Sequence, residues 1–204
     1  MDIDADTYRA LVSEKDYVFC ADGGARHAKA LNVVPTLVMG DMDSIDGELL
    51  MWLDEHGVEI RRFSAEKDYS DTELLLDYIF QEGFRDIIVF GGTGGRLDHQ
   101  LANILLLGKY SVAGVSLRFV HSRGYIEGVR EGVSVALDEK QGYLFSFFLL
   151  SDTAVVSLDG FRYGLSFSTV QRGATIGLSN VIESRNAIVT VHSGTIIQMI
   201  QKDG

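Results

Sequence analysis

The sequence predicts an α/β fold in which a parallel-sheet, Rossmann-like domain is followed by an all-β sandwich domain. In the first half, short apolar runs alternate with helical segments, an order typical of a parallel sheet flanked by helices. After about Lys109 the apolar runs are short, β-branched or aromatic, and they show no helical period. We therefore expect one domain over residues 1–110 and a second over residues 111–204.

The boundaries of the expected elements follow from the apolar runs and from the residues that interrupt them. Pro35 ends one helical region, and Gly57 and Gly83 stand where two further helices should end. The strands expected in the first half cover residues 17–21, 36–39, 58–63 and 87–90. The helices expected there cover 4–14, a segment ending near 31, 49–56, a segment through 74–79, and 101–107. The strands expected in the second half include 115–120, 143–150, 154–158, 187–192 and 195–200.

Composition and charge exclude several classes of protein. The chain has 204 residues, of which 46% are hydrophobic, enough for a substantial core. A net charge of −11 argues against nucleic acid or an anionic membrane as the main partner. The single cysteine, Cys20, lies in an apolar run and is expected to be a core residue, and no disulfide can form within the chain. We expect a cytoplasmic protein without a membrane span.

A glycine-rich stretch joins the fourth expected strand to the helix that follows it. This glycine loop, Gly91–Gly95, contains four glycines and is followed by Arg96, Asp98 and His99. Glycines at such a junction let backbone N–H groups approach a bulky anion, and the helix N-terminus adds partial positive charge. The stretch therefore indicates phosphate binding. A flexible connection with a capping aspartate is the alternative interpretation.

The three other strand ends of the first half also carry polar residues. They are Asp22-Gly23-Gly24, Asp41 with Asp43, and Asp68 with Asp71. Because the carboxyl ends of parallel strands meet at one edge of a sheet, we expect all four strand ends to lie together. Carboxylate oxygens are the ligands that Mg²⁺ prefers, and Mg²⁺ is commonly held by carboxylates together with substrate phosphates.

The carboxylates also have purely structural interpretations. Asp41 and Asp43 fit Asx turns after a strand. Ser70 and Glu73 fit a capping box with Ser70 as the N-cap, and Asp98 fits a helix cap. For Ser70 and its neighbours the two interpretations are compatible, because Ser70 can cap the helix while the next residue faces a ligand.

Three basic side chains are placed to meet phosphate groups. They are Arg26, Lys67 and Arg96, and His27 and His99 are further possible donors. Taken singly, each is more often a solvated surface charge. A zinc site is not expected, because the chain has one cysteine and no clustered histidines.

The motifs resemble a known family in their order and spacing. They are Asp22-Gly23-Gly24, Gly40-Asp41-Met42-Asp43-Ser44, Lys67-Asp68-Tyr69-Ser70-Asp71-Thr72-Glu73, Gly91-Gly92-Thr93-Gly94-Gly95-Arg96-Leu97-Asp98-His99 and Gly177-Leu178-Ser179-Asn180. They are similar to those of bacterial thiamine pyrophosphokinases. The resemblance implies a transferase that moves pyrophosphate from ATP to the hydroxyl of thiamine, giving thiamine diphosphate and AMP with Mg²⁺. It also implies a homodimer with thiamine near the subunit interface.

The residues and the resemblance together assign roles to the candidate site residues. The catalytic candidates are Asp43, Asp68, Asp71 and Asp98. The candidates for binding ATP are Asp22, Gly23, Gly24, Arg26, Lys67, Gly92, Arg96 and His99. The candidates for holding the metal are Asp41, Asp43, Asp68 and Asp71. The candidates for contacting thiamine are Asp71, Ser179 and Asn180, and Tyr163 is a weaker candidate because Gly164 stands where the family commonly has proline.

Two other functions are compatible with the same residues. One is a different Mg²⁺-dependent nucleotide transferase or hydrolase that uses the same sheet edge. The other is a non-catalytic sensor of nucleotide or thiamine. Five carboxylates, those of Asp41, Asp43, Asp68, Asp71 and Asp98, disfavour a sensor because binding ATP does not require so many acids.

Overall fold

The computed structural model describes residues 5–63 and 68–203, and its packing divides the chain into two compact units. The first unit extends to Phe84, and the second begins at Arg85. Lys67, a predicted phosphate contact, lies outside the described residues.

The first unit contains a three-stranded parallel sheet in the order β1-β2-β3. The strands are β1 (Phe19–Ala21), β2 (Leu37–Gly40) and β3 (Glu59–Arg62). The described helices of this unit are α1 (Ala5–Leu11), α2 (Gly24–Ala30), α3 (Gly47–Glu55) and α4 (Asp71–Gln81). The predicted alternation of strand and helix is confirmed for this part of the chain.

Neighbouring residues of β1 point to opposite faces of the sheet, and each face packs against different helices. On one face Cys20 and Val38 form a core with Leu53 of α3. On the other face the ring of Phe19 meets Tyr78 of α4 edge-on, with ring centroids 6.3 Å apart. Burial raises the pKa of the Cys20 thiol to about 12, which agrees with the predicted role of Cys20 as a core residue.

Side-chain caps fix where two helices of this unit begin. The Asp46 carboxylate accepts a hydrogen bond of 2.9 Å from the Leu49 N–H at the start of α3. The Ser70 hydroxyl accepts one of 3.2 Å from the Glu73 N–H at the start of α4. The predicted N-cap role of Ser70 is therefore confirmed, and it places Asp71 at the first position of α4.

The second unit combines one described helix with two sheets. The helix is α5 (Leu97–Val112), and the strands are β4 (Asp86–Phe90), β5 (Ser116–His121), β6 (Gly124–Arg130), β7 (Val133–Ala136), β8 (Leu144–Leu149), β9 (Thr153–Asp159), β10 (Leu165–Gln171), β11 (Asn180–Val181), β12 (Ile188–Ser193) and β13 (Thr195–Gln201). One sheet has the order β11-β8-β13-β6-β5-β4, and the other has the order β10-β9-β12-β7.

The two sheets of the second unit share one apolar core. Phe145 and Ile196 contribute to it from the six-stranded sheet, and Val156 and Val189 contribute from the four-stranded sheet. Buried residues alternate with more exposed ones along these strands, as expected where one face of a sheet lies against a core. Apart from the parallel pair β4 and β5, the strand pairs of this unit are antiparallel.

The expectation that all four strands of the first half belong to one parallel sheet is wrong for the fourth strand. β4 pairs with β5 through a parallel ladder from Asp86↔Ser116 to Phe90↔Val120, and β5 continues into the six-stranded sheet. The glycine loop that follows β4 therefore belongs to the second unit. The boundary between the two compact units lies before residue 85, upstream of the predicted boundary at residue 110, because β4 and α5 pack with this sheet. The predicted division into an ATP-binding part and a thiamine-binding part at residue 110 stays a prediction.

Helix α5 packs against β6 at a glycine. A Cβ atom at Gly128 would lie 2.6 Å from the Leu107 carbonyl oxygen and 2.9 Å from the Ser111 Cβ. Only a residue without a side chain lets the helix approach the strand this closely.

None of the helices in the described part of the chain has the length and apolarity that a membrane crossing requires.

We expect Gly128→Ala to destabilise the second unit by about 1–3 kcal/mol, because the new methyl group overlaps the backbone of α5. Thermal unfolding followed by circular dichroism measures the effect as a lower Tm. Gly47→Ala is the matched control, since nothing lies within 4 Å of a Cβ at Gly47, which opens α3. Equal Tm values for Gly128→Ala and the unsubstituted protein would contradict the packing described here.

Candidate functional site

Three aspartates converge where β1 and β2 end. Single carboxylate oxygens of Asp22, Asp41 and Asp43 all lie within 4.8 Å of one another. Asp22 directly follows β1, and Asp41 directly follows β2, so the parallel pairing of the two strands brings the acids together. These three residues are called the aspartate group below.

The end of β2 approaches Asp22 closely because residue 40 is glycine. A Cβ at Gly40 would lie 2.8 Å from the Asp22 Cβ and 3.0 Å from its Cα. The Asp22 N–H donates to the Met39 carbonyl over 2.8 Å, and the Asp22 backbone has φ of +38°. A positive φ is uncommon for a residue with a side chain and marks a position that its surroundings constrain.

A tight turn positions the other two acids. Met42 has φ of +68°, and the Asp43 N–H donates to the Asp41 carboxylate over 3.2 Å. This contact is an Asx turn, so the structural interpretation of Asp41 is confirmed, and its role as a metal ligand stays a prediction. The Ser44 hydroxyl donates to Asp43 over 3.0 Å.

The electrostatics of the aspartate group favour a bound cation. Three carboxylates at this separation repel one another, and Asp22 Oδ1 is buried with no hydrogen-bond partner in the described structure. Asp22 and Asp41 are partly buried, whereas Asp43 is exposed. A divalent cation that prefers oxygen ligands, such as Mg²⁺, would satisfy the buried oxygen and relieve the repulsion.

Arg26 lies beside this turn and holds it in place. Its Nε and Nη2 atoms donate to the Ser44 carbonyl over 2.9 and 2.6 Å, and Nη2 also lies 3.2 Å from an Asp46 carboxylate oxygen. The hydrogen bond from the Leu49 N–H, with a smaller contribution from Arg26, lowers the pKa of Asp46. Arg26 thus links α2 to the loop that carries Asp43, and its predicted phosphate contact stays a prediction.

Among the described residues, the two other predicted metal ligands, Asp68 and Asp71, are not part of the aspartate group. Asp68 is exposed, and Asp71 is a partly buried residue in the first turn of α4. Their predicted roles in metal binding and catalysis stay predictions. Gly23 and Gly24 stand at the start of α2, with Gly23 as its N-cap residue.

The glycine loop of the second unit has a backbone that only glycine adopts easily. Gly91, Gly94 and Gly95 have φ of +74°, +104° and +77°. Gly92 is required for a different reason, because a Cβ there would lie 2.1 Å from the Phe119 ring of β5.

Side chains of α5 hold the glycine loop. The Asn103 amide donates to the Gly92 carbonyl over 2.8 Å, and the Gln100 amide donates to the Gly95 carbonyl over 3.1 Å. The loop is therefore an ordered approach to the N-terminus of a 16-residue helix, which suits an anion.

Arg96 and Asp98 form an exposed bidentate ion pair at the start of α5. Arg96 Nε and Nη2 donate to the two Asp98 carboxylate oxygens over 3.1 and 2.6 Å. The Arg96 hydrogen bonds, helped by the His99 N–H, lower the pKa of Asp98 from its ordinary 3.8 to about 2. Arg96, not Asp98, is the N-cap residue of α5, so the capping alternative for Asp98 is wrong.

In the β-rich part, Ser179 and Asn180 have different surroundings. Ser179 is exposed, has φ of +55°, and its N–H donates to the Ser146 hydroxyl over 3.1 Å. Asn180 is only 3% exposed, and its side chain bonds to backbone atoms of the protein. Gly177 lies against β8, where a Cβ would approach the Phe147 ring to 2.4 Å.

Comparison with protein-family models decides the family. The model described as "Thiamin pyrophosphokinase, catalytic domain" matches residues 8–119, more than half of the chain, and "Thiamin pyrophosphokinase, vitamin B1 binding domain" matches residues 133–196. The chain belongs to the thiamin pyrophosphokinase family. The predicted family and the predicted enzyme class, a thiamine diphosphokinase, are confirmed.

Individual thiamine pyrophosphokinases are similar over most of the chain. The protein of Bacillus subtilis (strain 168) is 28% identical over 172 residues, which cover 84% of this chain and 80% of that protein. Thiamine pyrophosphokinase 1 of rice is 26% identical over 209 residues, covering 87% of this chain and 76% of the relative.

Solved structures of two bacterial relatives are similar to this chain. The B. subtilis crystal structure has a TM-score of 0.88 at 26% identity and covers 99% of this chain and 94% of that chain. The Geobacillus thermodenitrificans structure has a TM-score of 0.83 at 27% identity, with coverages of 96% and 91%.

Sequence reasoning missed the structural role of several residues in the candidate site. Asp22 was expected to bind nucleotide, but its place in the aspartate group was not foreseen. Asn103 and Gln100, which hold the glycine loop, were also missed. Gln100 and Asn103 lie three and six residues after Leu97, the first residue of α5, and this spacing carries no distinct signal. Polar residues at such positions are ordinary on a half-exposed helix.

We expect the Asp98 pKa to rise from about 2 towards its ordinary 3.8 in Arg96→Ala, because the two charge-assisted hydrogen bonds are lost. Carboxyl-carbon NMR titration measures this value directly. The native-state pKa lies below the unfolded one, so any stability from this pair is present above pH 3.8 and is lost as the pH falls towards 2. Arg9→Ala, which breaks the exposed pair with Asp6, is the control and should leave Asp98 unchanged. A low Asp98 pKa in Arg96→Ala would exclude this cause.

Proposed function

We propose that this thiamine pyrophosphokinase binds Mg²⁺–ATP at the carboxyl ends of β1 and β2 and transfers pyrophosphate to the hydroxyl of thiamine. The hydroxyl oxygen attacks the β-phosphorus of ATP, the bond from that phosphorus to the α-phosphate oxygen breaks, and AMP leaves. The observation that carries the proposal is the convergence of Asp22, Asp41 and Asp43, with a buried oxygen of Asp22 lacking a partner in the described structure.

The aspartate group fits Mg²⁺ by the chemistry of its donors. Carboxylate oxygens are the hard ligands that Mg²⁺ prefers, and the ion commonly keeps positions for substrate phosphates. When bound, the ion neutralises charge on the phosphates of ATP. We propose Asp22, Asp41 and Asp43 as the protein ligands of the ion. Asp68 and Asp71 are proposed as further ligands that bind the ion when the nucleotide is present.

The phosphate chain of ATP is proposed to meet two groups of donors. Gly23 and Gly24 provide backbone N–H groups at the start of α2, in the unit that holds the aspartate group. Gly92 lies in the ordered glycine loop before the 16-residue helix α5. Arg96, His99 and Lys67 add side-chain donors that offset charge on the transferred group.

The proton of the thiamine hydroxyl is proposed to pass to Asp71. A general base works best when its pKa lies near the pH of the reaction. The ion pair with Arg96 holds the pKa of Asp98 at about 2, so Asp98 is a weak base while that pair persists. Asp98 is therefore proposed to orient Arg96, and Asp43 and Asp68 act beside the phosphates.

The two parts of the chain are proposed to bind different substrates. The parallel sheet with helices on both faces supports a Rossmann-like nucleotide domain within residues 1–110. Residues 111–204 are proposed to bind thiamine and to form a homodimer, with thiamine near the subunit interface. The match of residues 133–196 to a vitamin B1 binding domain supports this placement of thiamine. Exposed Ser179 is proposed to contact the pyrimidine ring.

The test is incubation of the purified protein with ATP, Mg²⁺ and thiamine, followed by chromatography of the products. We expect AMP and thiamine diphosphate in equal amounts, and neither product after chelation of Mg²⁺ with EDTA. ADP with thiamine monophosphate would indicate a different phosphoryl transfer. Free phosphate alone would indicate a hydrolase, and binding without turnover would indicate a sensor.

We expect Asp22→Asn to raise the Mg²⁺ concentration needed for half-maximal turnover by roughly 10- to 100-fold, because a neutral amide replaces a charged ligand. Turnover at a series of Mg²⁺ concentrations measures the shift. Asp54→Asn is the matched control, since Asp54 is an exposed acid of α3 that lies outside the aspartate group. An Asp22→Asn enzyme with the Mg²⁺ response of the control would remove Asp22 from the metal site.

A further inference from the structure

The Asn180 side chain occupies a place that does not suit a substrate contact. It is 3% exposed and begins the short strand β11, directly after exposed Ser179. We infer that Asn180 is a positioning residue that acts on thiamine binding through Tyr163 and does not contact the substrate itself. This inference rests on the proposed function.

The Asn180 amide makes two hydrogen bonds to the backbone of the same residue. The Tyr163 N–H donates to Asn180 Oδ1 over 3.0 Å, and Asn180 Nδ2 donates to the Tyr163 carbonyl over 2.8 Å. In an antiparallel sheet a neighbouring strand forms the same pair of hydrogen bonds to the N–H and carbonyl of one residue. The Asn180 side chain takes the place of such a strand at Tyr163. Both polar backbone groups of Tyr163 are thereby fixed by one side chain.

The hydrogen-bonding capacity of Asn180 leaves little for a ligand. Its Oδ1 also accepts from the Val181 N–H over 2.9 Å, so both acceptor sites of that oxygen are used. The amide nitrogen retains one N–H, but the side chain is nearly inaccessible. A substrate contact by Asn180 would therefore require the amide to abandon the Tyr163 backbone.

The Tyr163 side chain, in contrast, is 66% exposed. The residues before it are fixed to the strand that begins at Asn180, because Phe161 forms a bridge with Ile182 and the Arg162 N–H donates to the Val181 carbonyl over 2.9 Å. Gly164, which follows, has no side chain to restrict the backbone. The Asn180 amide therefore fixes the backbone that presents the exposed ring.

An exposed aromatic ring on a fixed backbone suits a flat heteroaromatic ligand. Tyrosine supplies a large contact area at a low cost in conformational entropy, provided that its backbone does not have to be ordered on binding. Tyr163 also adjoins Asn180, the residue after Ser179, in a chain that belongs to the thiamin pyrophosphokinase family. Loss of the Asn180 amide should therefore weaken thiamine binding while leaving ATP binding unchanged.

The test is a double-mutant cycle of Asn180→Ala and Tyr163→Ala, with KM measured for each substrate. We expect Asn180→Ala to raise the KM for thiamine by roughly tenfold, the effect of losing about one net hydrogen bond, and to leave the KM for ATP within about twofold. In the Tyr163→Ala background, Asn180→Ala should change the KM for thiamine by less than about twofold, because its effect passes through the absent ring.

Additive effects in the cycle would overturn the inference, because Asn180 would then act on thiamine independently of Tyr163. Equal rises in the KM for thiamine and for ATP would also overturn it, because they indicate a general structural role. Gln141→Ala is the matched control: the Gln141 amide donates to the Glu183 carbonyl over 2.8 Å, near the same strand, without touching Tyr163. It should leave both KM values unchanged.

A second variant covers the case in which Asn180→Ala does not fold. Asn180→Asp keeps the acceptor for the Tyr163 and Val181 N–H groups and puts a carboxylate oxygen in the place of the donor, where it repels the Tyr163 carbonyl. It should also raise the KM for thiamine, and the rise should again vanish in the Tyr163→Ala background. Persistence of the rise in that background would overturn the inference.

Amide hydrogen exchange of Tyr163 separates the positioning role from the proposed function. We expect the Tyr163 N–H to exchange slowly in the unsubstituted protein and at least tenfold faster in Asn180→Ala, with less change in Asn180→Asp. If the unsubstituted protein makes no thiamine diphosphate, the proposed function fails. The exchange data still show whether the Asn180 amide holds the Tyr163 backbone. Unchanged exchange in Asn180→Ala would show that the amide does not hold Tyr163.

Discussion

The close approach of the ends of β1 and β2 is the constraint on which the candidate site depends. The Cβ that Gly40 lacks would overlap Asp22, so a larger residue there would separate the strand ends and with them the acids. Once β1 and β2 pair in this register, Asp22, Asp41 and Asp43 lie close together. The repulsion within the group is a cost of folding that a bound cation would offset.

Close approaches at glycines also position elements of the second unit. Gly92, Gly128 and Gly177 each remove a side chain where two segments touch, and each contact fixes an element that carries candidate site residues. Gly92 lets the glycine loop pass the Phe119 ring of β5, and Gly177 lets the segment before Ser179 lie against β8. Backbone positions in this protein are thus set by close packing, and the side-chain amides of Gln100, Asn103 and Asn180 hold the loops by hydrogen bonds to backbone atoms.

Charge is distributed in pairs around these positions. Arg26 binds a loop carbonyl and Asp46, and Arg96 binds Asp98, so two of the predicted phosphate ligands already have partners within the protein. An arginine with an internal acidic partner is oriented before a phosphate arrives, and exchanging one anion for another costs less than ordering a free side chain. Exposed pairs of this kind add little stability, so their value lies in orientation.

The sequence by itself determined the family, the order of most strands and helices, and the residue types of the site. Short motifs such as Asp22-Gly23-Gly24 and Gly91–Gly95 carry this information because glycine and aspartate at strand ends are a local signal. Apolar periodicity likewise revealed α4 and β13, because each buries one face or both along its length.

Only the tertiary structure decided which of these residues meet. β4 looks like a fourth strand of the first sheet, yet it pairs with β5, a partner that lies beyond the whole of α5 in the chain. Asp22 joins Asp41 and Asp43 through strand register, and Asn180 turns inward because Tyr163 lies beside it. Register and side-chain direction depend on contacts between segments distant in sequence, and no local pattern encodes them.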